Sequence, residues 1–87
     1  MNRTAKYIVC GKFRLTGNAK LLYCYLTDSV NSRQQLTMSS RKIAAVIGVS
    51  RSAVSRNMHL LERSGLIDIS PQFTIDGGRT ANKYILK

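Results

Sequence analysis

The sequence predicts a single α+β domain in which three helices precede a carboxyl-terminal β-hairpin, with one further short strand at 36–38. Three observations carry that reading. Between residues 16 and 64 apolar side chains recur at helical spacing. From Leu66 onward the period falls to two. Asp76, Gly77, Gly78 and Arg79 then separate two alternating runs as a turn does. Residues 1–15 are read as an amino-terminal arm and residues 16–87 as the folded unit.

Residues 1–5 are polar. Residues 6–14 hold the apolar run Tyr7, Ile8, Val9 and Cys10, expected as an extended arm against the body, with Phe13 and Leu15 as packing residues. Thr16 suits an N-cap, because its hydroxyl accepts from a backbone N–H that the first helical turn leaves free. The first helix is expected over 16–31. Asn18, Leu22, Tyr25, Leu26, Ser29 and Val30 share one side of it. Leu21, Tyr23 and Cys24 lie outside that stripe, so a second face needs cover from the arm or from another subunit.

A linker over 32–38 ends in the strand residues Leu36, Thr37 and Met38. Ser39 caps the second helix, which runs to Ile47. Ile43, Val46 and Ile47 form its inward stripe, and Ala44 lets another helix come close. Gly48 stands where the backbone needs positive φ, and Val49 plugs the turn. Ser50 caps the third helix, which runs to Ser64 with Val54, Met58 and Leu61 inward, and Gly65 ends it. Residues 66–70 alternate as a strand. Pro71 cannot donate a ladder hydrogen bond and marks a bulge, a break or an edge. Phe73, Thr74 and Ile75 resume the run, and residues 82–86 return.

Charge narrows the partners. Lys and Arg number 14 against 4 Asp and Glu, a net charge of +10. A field of that size draws in polyanions and destabilises the folded chain through self-repulsion. Nucleic acid is the first partner it suggests and an anionic membrane surface the second. No apolar run approaches the roughly 20 residues of a membrane span. No secretion signal is evident, and Cys10 and Cys24 read as reduced thiols of a cytoplasmic protein. His59 is the one histidine, with no catalytic triad or metal-ligand spacing around it. The chain is therefore read as non-enzymatic, with no cofactor and no metal.

The order helix, helix-turn-helix, hairpin resembles the winged helix-turn-helix superfamily. The resemblance is strongest over 43–67, where the small residue Ala44 sits on the second helix and Gly48 in the turn. Ser50-Arg51-x-x-Val54 opens the third helix, and Leu61-Glu62-x-x-Gly65-Leu66-Ile67 leads into the hairpin. Residues 15–23 look like the first helix of small winged domains in plasmid and phage replication or conjugative-transfer proteins. The wing departs from many relatives in its length and in Pro71. The resemblance implies double-stranded DNA as partner, with the third helix in the major groove and the wing on the adjacent minor groove or backbone.

With Val54, Met58 and Leu61 inward, the third helix turns Arg51, Ser52, Ser55, Arg56 and His59 outward as base-contact candidates. Arginine pairs two donors with guanine, and serine reads base edges loosely. Helix N-termini carry a partial positive charge that favours Asp and Glu. None of the three first turns has an acid, and the second opens on Ser39, Ser40, Arg41 and Lys42. Stability alone would not select that; an incoming phosphate would. Those four residues, with Lys20 on the first helix, are the phosphate candidates. On the wing, Arg79, Thr80, Asn82 and Lys83 are candidates for the minor groove and the backbone.

The function expected is sequence-specific binding of duplex DNA by an accessory protein at a plasmid origin of replication or of conjugative transfer. A small transcriptional repressor is the alternative. From another class, a protein-interaction module for an acidic partner is kept, and RNA stands third. A homodimer or tandem binding on DNA repeats, within a larger replication or transfer complex, is compatible with the pattern.

Overall fold

A computed structural model describes residues 4–78 and 80–87. Its order is α1 (Ala5–Lys12), α2 (Gly17–Ser29), β1 (Gln35–Thr37), α3 (Ser40–Ile47), α4 (Arg51–Arg63), β2 (Ile67–Ser70) and β3 (Lys83–Leu86). The sequence's first, second and third helices are α2, α3 and α4. An α+β winged helix-turn-helix arrangement results, with one helix more than the sequence predicts.

That extra helix is the main correction. Residues 5–12 are helical, where the apolar run Tyr7 to Cys10, with β-branched Ile8 and Val9, predicts an extended arm. Packing onto α2 overrides the local preference. Cys10 is buried in the core and Val9 packs against it. Lys6 Nζ reaches Asp28 Oδ1 at 2.6 Å, fastening α1 to the far end of α2. The hydrogen bond to Asp28 raises the Lys6 pKa above its ordinary value. Phe13, expected as a packing residue, is 38% exposed.

Caps fix the other helices. Thr16, Ser39 and Ser50 each accept from the backbone N–H three residues on, at Ala19, Lys42 and Ala53. Gly48 ends α3 at φ 74°, and Gly65 follows α4 at φ 77°. Behind Gly65, the Leu66 N–H returns to the Leu61 carbonyl, so the chain leaves α4 directly into β2.

The core is built on α2 and α4. On α2 the buried set is Ala19, Leu22, Tyr23 and Leu26, so the inward stripe is turned from the one predicted, and Asn18 is exposed. α1 packs on α2, yet of the second face Leu21 stays 45% exposed. On α3, Ile43 and Ala44 are buried while Val46, expected inward, is 56% exposed. Val54, Met58 and Leu61 of α4 are buried as their spacing predicts.

β3 is the central strand of an antiparallel sheet in the order β1-β3-β2. Leu36 faces Tyr84 across one ladder, and Ile67 faces Leu86 across the other. Tyr84 and Leu86 alternate inward and close the sheet onto the helices. β2 stops at Ser70, so Pro71 acts as a break. Past it, the Thr80 N–H donates to the Gln72 carbonyl at 2.9 Å and carries the hairpin outward as a wing.

Candidate nucleic-acid interface

Helical spacing sorts α4 into two faces. Ala53, Val54, Asn57, Met58 and Leu61 are buried. Arg51, Ser52, Ser55, Arg56, His59 and Arg63 are exposed. The left-handed turn at Gly48 brings the first turn of α4 beside that of α3. The β1-β3-β2 ladder then sets the base of the wing across from both.

An open cleft of ≈ 620 Å³ lies among these three parts. Ser39, Ser40 and Arg41 line it from α3, Arg51 and Ser55 from α4, and Thr80, Ala81 and Asn82 from the wing. A shallower hollow beside it is lined by Ser40, Arg51, Ser52 and Ser55. Residues predicted separately on a helix end, a helix face and a hairpin therefore share one concavity. Ser39 Oγ accepts from the Lys42 N–H at 3.1 Å, so it serves as a cap while its own proton remains available to a ligand.

Other predicted residues stand outside the cleft lining. Lys42 and Arg56 are exposed, and Lys83 is half-buried. Lys20 is exposed on α2, where its carbonyl faces the Cys10 thiol at 4.0 Å. His59 Nδ1 lies 3.7 Å from Glu62 Oε1, a carboxylate neighbour that Arg51 and Arg56 lack among the described ion pairs. Arg79 falls outside the described residues.

The acids are placed elsewhere. Asp28 pairs with Lys6, Asp68 with Lys87 at 3.1 Å, and Glu62 accepts from the Ile69 N–H at 3.2 Å. Asp76 folds back on its own turn, where hydrogen bonds from the Thr74 hydroxyl and the Gly78 N–H lower its pKa. Among the described residues the ion pairs involve none of Arg41, Lys42, Arg51 and Arg56. The cleft thus carries Arg41 and Arg51 with no carboxylate among its lining residues, on a chain of net charge +10.

Asn57 is the residue that sequence reasoning missed. It is 9% exposed, in the stripe that meets α2. Its Oδ1 accepts from the Thr16 hydroxyl at 2.5 Å, and its Nδ2 donates to the Ala53 carbonyl at 2.7 Å. The N-cap of α2 is therefore joined to the buried side of α4, one residue from Arg56. The signal was available: a polar residue at 57, the i+3 position of the inward series 54, 58, 61, must find a partner.

Among the described residues no three metal-ligating side chains come together, and no helix is long and apolar enough to cross a membrane. Residues 14–67 match the helix-turn-helix domain family. Among curated proteins, none matches the chain in sequence. Two solved structures share its fold. One is described as a possible transcriptional regulator from Methanosarcina mazei Go1, at TM-score 0.71 and 13% identity, covering 95% of this chain and 65% of that one. The other is the YusO protein from Bacillus subtilis, at TM-score 0.61 and 19% identity, covering 95% of this chain and 50% of that one. The chain thus spans less than two-thirds of either.

Proposed function

The chain belongs to the helix-turn-helix domain family, and from that premise we infer that it binds duplex DNA sequence-specifically through the exposed face of α4. The observation that carries this is the shared cleft. Arg51 and Ser55 of the helix, Ser39 to Arg41 of the neighbouring helix end, and Thr80 and Asn82 of the wing line one uncompensated cationic concavity.

Each group has a role in that reading. α4 enters the major groove by its amino-terminal half, so Arg51, Ser52, Ser55 and Arg56 meet base edges. His59, beside Glu62, is the weakest of the base candidates. Ser39, Ser40, Arg41 and Lys42 hold a phosphate at the α3 end, where free N–H groups, hydroxyls and cations converge. Lys20 adds charge from α2. Thr80, Asn82 and Lys83 hold the flanking backbone, and Arg79 is assigned to the minor groove on sequence alone.

Regulation of transcription is the role that one solved neighbour supports, being described as a possible transcriptional regulator. An accessory role at a plasmid origin of replication or transfer rests only on the resemblance over 15–23. A cationic face without local carboxylates also suits an acidic protein partner, and DNA competition separates the two.

Selection of bound duplexes from a random pool tests the reading and yields both site and symmetry. The pool should converge on one motif. Arg56→Ala should then relax preference at one position, worth about 1–3 kcal/mol. Arg41→Ala should weaken all sites alike. A pool that stays random at moderate salt would overturn the specificity claim, and a changed motif for Arg41→Ala would overturn the phosphate assignment.

A further inference from the structure

Among the described residues Ile75 is the most exposed large apolar side chain, at 109% of its reference area, and Phe73 is 65% exposed. Folding gains little from Ile75, because a side chain left in water contributes no burial. Turn chemistry does not call for it either: Gly, Pro, Asn, Asp and Ser dominate such positions, each for a local reason.

The backbone beneath it is nonetheless fixed. Thr74 and Gly78 close a three-residue loop. The Thr74 N–H donates to the Gly78 carbonyl at 2.6 Å, and the Gly77 N–H donates to the Thr74 carbonyl at 3.0 Å. Gly77 holds φ 90°, a value that suits glycine. The Thr74 hydroxyl donates to Asp76 Oδ1, which also accepts the Gly78 N–H at 3.3 Å. A Cβ on Gly78 would meet the Thr74 hydroxyl at 2.9 Å, so the loop has no slack there. The Thr74 and Gly78 groups are hydrogen-bonded within the loop, its one carboxylate is folded back, and an isoleucine projects from the tip.

Charge, continuity and reach name the occupant. With 14 Lys and Arg against 4 acids, the surface that approaches this chain is anionic. A second copy carrying the same charge is repelled. Thr80, Ala81 and Asn82, at the base of the same wing, line the cleft with Arg41 and Arg51. Ile75 stands seven residues from Asn82 in the chain, a span of at most about 25 Å. From a major-groove contact to the next minor groove is about half of a 34 Å turn, roughly 17 Å.

We propose that Ile75 is a wedge that enters the minor groove beside the α4 contact, with Phe73 as adjoining apolar surface, and unstacks one base step to bend the duplex. The proposal rests on the duplex-binding reading above. Apolar side chains act in this way at steps that unstack easily, chiefly pyrimidine–purine steps, and the bend brings more of the duplex against the protein. Specificity would then arise at a step that no hydrogen bond reads.

The test uses the duplex selected by the wild-type protein, with 2-aminopurine placed at successive steps and a dye pair on its ends. Wild type should raise fluorescence at one step and bring the ends together. Ile75→Ser and Ile75→Ala, at a position that contributes no burial to the fold, should abolish both signals and weaken binding about tenfold. The slope of log K against log salt should become slightly shallower, because the phosphate contacts that the bend adds are lost with it. Binding by wild type with no fluorescence rise at any step overturns the wedge and leaves the duplex reading standing. Ile75→Ser bending DNA as wild type does overturns it too. Loss of self-association in Ile75→Ser, measured by sedimentation without DNA, would make the tip a protein docking surface and overturn it. Failure of wild type to bind any duplex removes the duplex reading itself, and the wedge with it.

Discussion

Thr16 and Asn57 form one polar joint, and removing one half of it should cost more than removing a cap. In Thr16→Ala the Ala19 N–H loses its acceptor, as in any N-cap deletion, at about 1 kcal/mol. Asn57 Oδ1 also loses its donor, in a side chain only 9% exposed. An orphaned buried acceptor costs about 1–3 kcal/mol, and the low end applies because Thr16 itself lies at the surface. Together Thr16→Ala should destabilise by about 2–3 kcal/mol. In a domain of this size that lowers the melting temperature by at least about 8 °C. Ser39→Ala is the internal control: its hydroxyl caps Lys42 and touches no buried side chain, so about 1 kcal/mol is expected. In an Asn57→Ala background the orphan no longer exists, and Thr16→Ala should cost only the cap. Urea unfolding of the four members of the cycle, followed by far-ultraviolet circular dichroism, should give a coupling of about 1–2 kcal/mol. Strict additivity, or equal costs for Thr16→Ala and Ser39→Ala, would refute the joint.

Three further outcomes follow from local geometry. Gly48→Ala should destabilise by about 1–2 kcal/mol, because φ is 74° and the cost is backbone strain, with nothing within 4 Å of the new methyl. Gly11→Ala, in a helical segment with equally open space, should instead stabilise by up to about 1 kcal/mol in the same urea titration. Equal signs for the two would refute the backbone argument. The Asp76 carboxyl is held below its ordinary value of 3.8 by the Thr74 hydroxyl and then the Gly78 N–H, so its stabilisation is present above that pH. It is lost as pH falls through the lowered value, and the Gly78 amide should exchange faster there; exchange that tracks only the intrinsic pH dependence would contradict this. Burial, and next the Cys10 thiol, push the Cys24 pKa up, so disulfide-exchange reagents near pH 8 should modify it more slowly than free cysteine. Modification at the free-thiol rate would contradict that assignment.

What the sequence disclosed and what it withheld divide along the range of the interactions. Thr16, Ser39 and Ser50 were legible as caps, and Gly48 and Gly65 as left-handed stops, because each needs only its own few neighbours. The outward set on α4 followed from its spacing against Val54, Met58 and Leu61. α1 was not legible, since the residues from Tyr7 to Cys10 favour strand and the contacts that hold them helical, Cys10 and Val9 on the core and Lys6 on Asp28, are made with distant residues. Val46 was misplaced because an eight-residue helix gives too few positions to fix a wheel, and Ile43 and Ala44 alone define the buried side. The turn assigned to Asp76 through Arg79 is instead a loop closed by Thr74 and Gly78, a register set by pairing along the wing. The cleft was least legible: it exists because β1 pairs with β3 across some fifty residues of chain, and no local signal encodes that pairing.

The central claim is that the exposed face of α4 and its flanking parts meet duplex DNA. Mapping backbone amide shifts of the labelled protein on titration with the selected duplex tests it most directly. The account predicts the largest shifts within 39–42, 51–56, 73–78 and 80–83, with Ala5–Lys12 little changed. Shifts concentrated on Ala5–Lys12, with 51–56 unmoved at saturation, would contradict it.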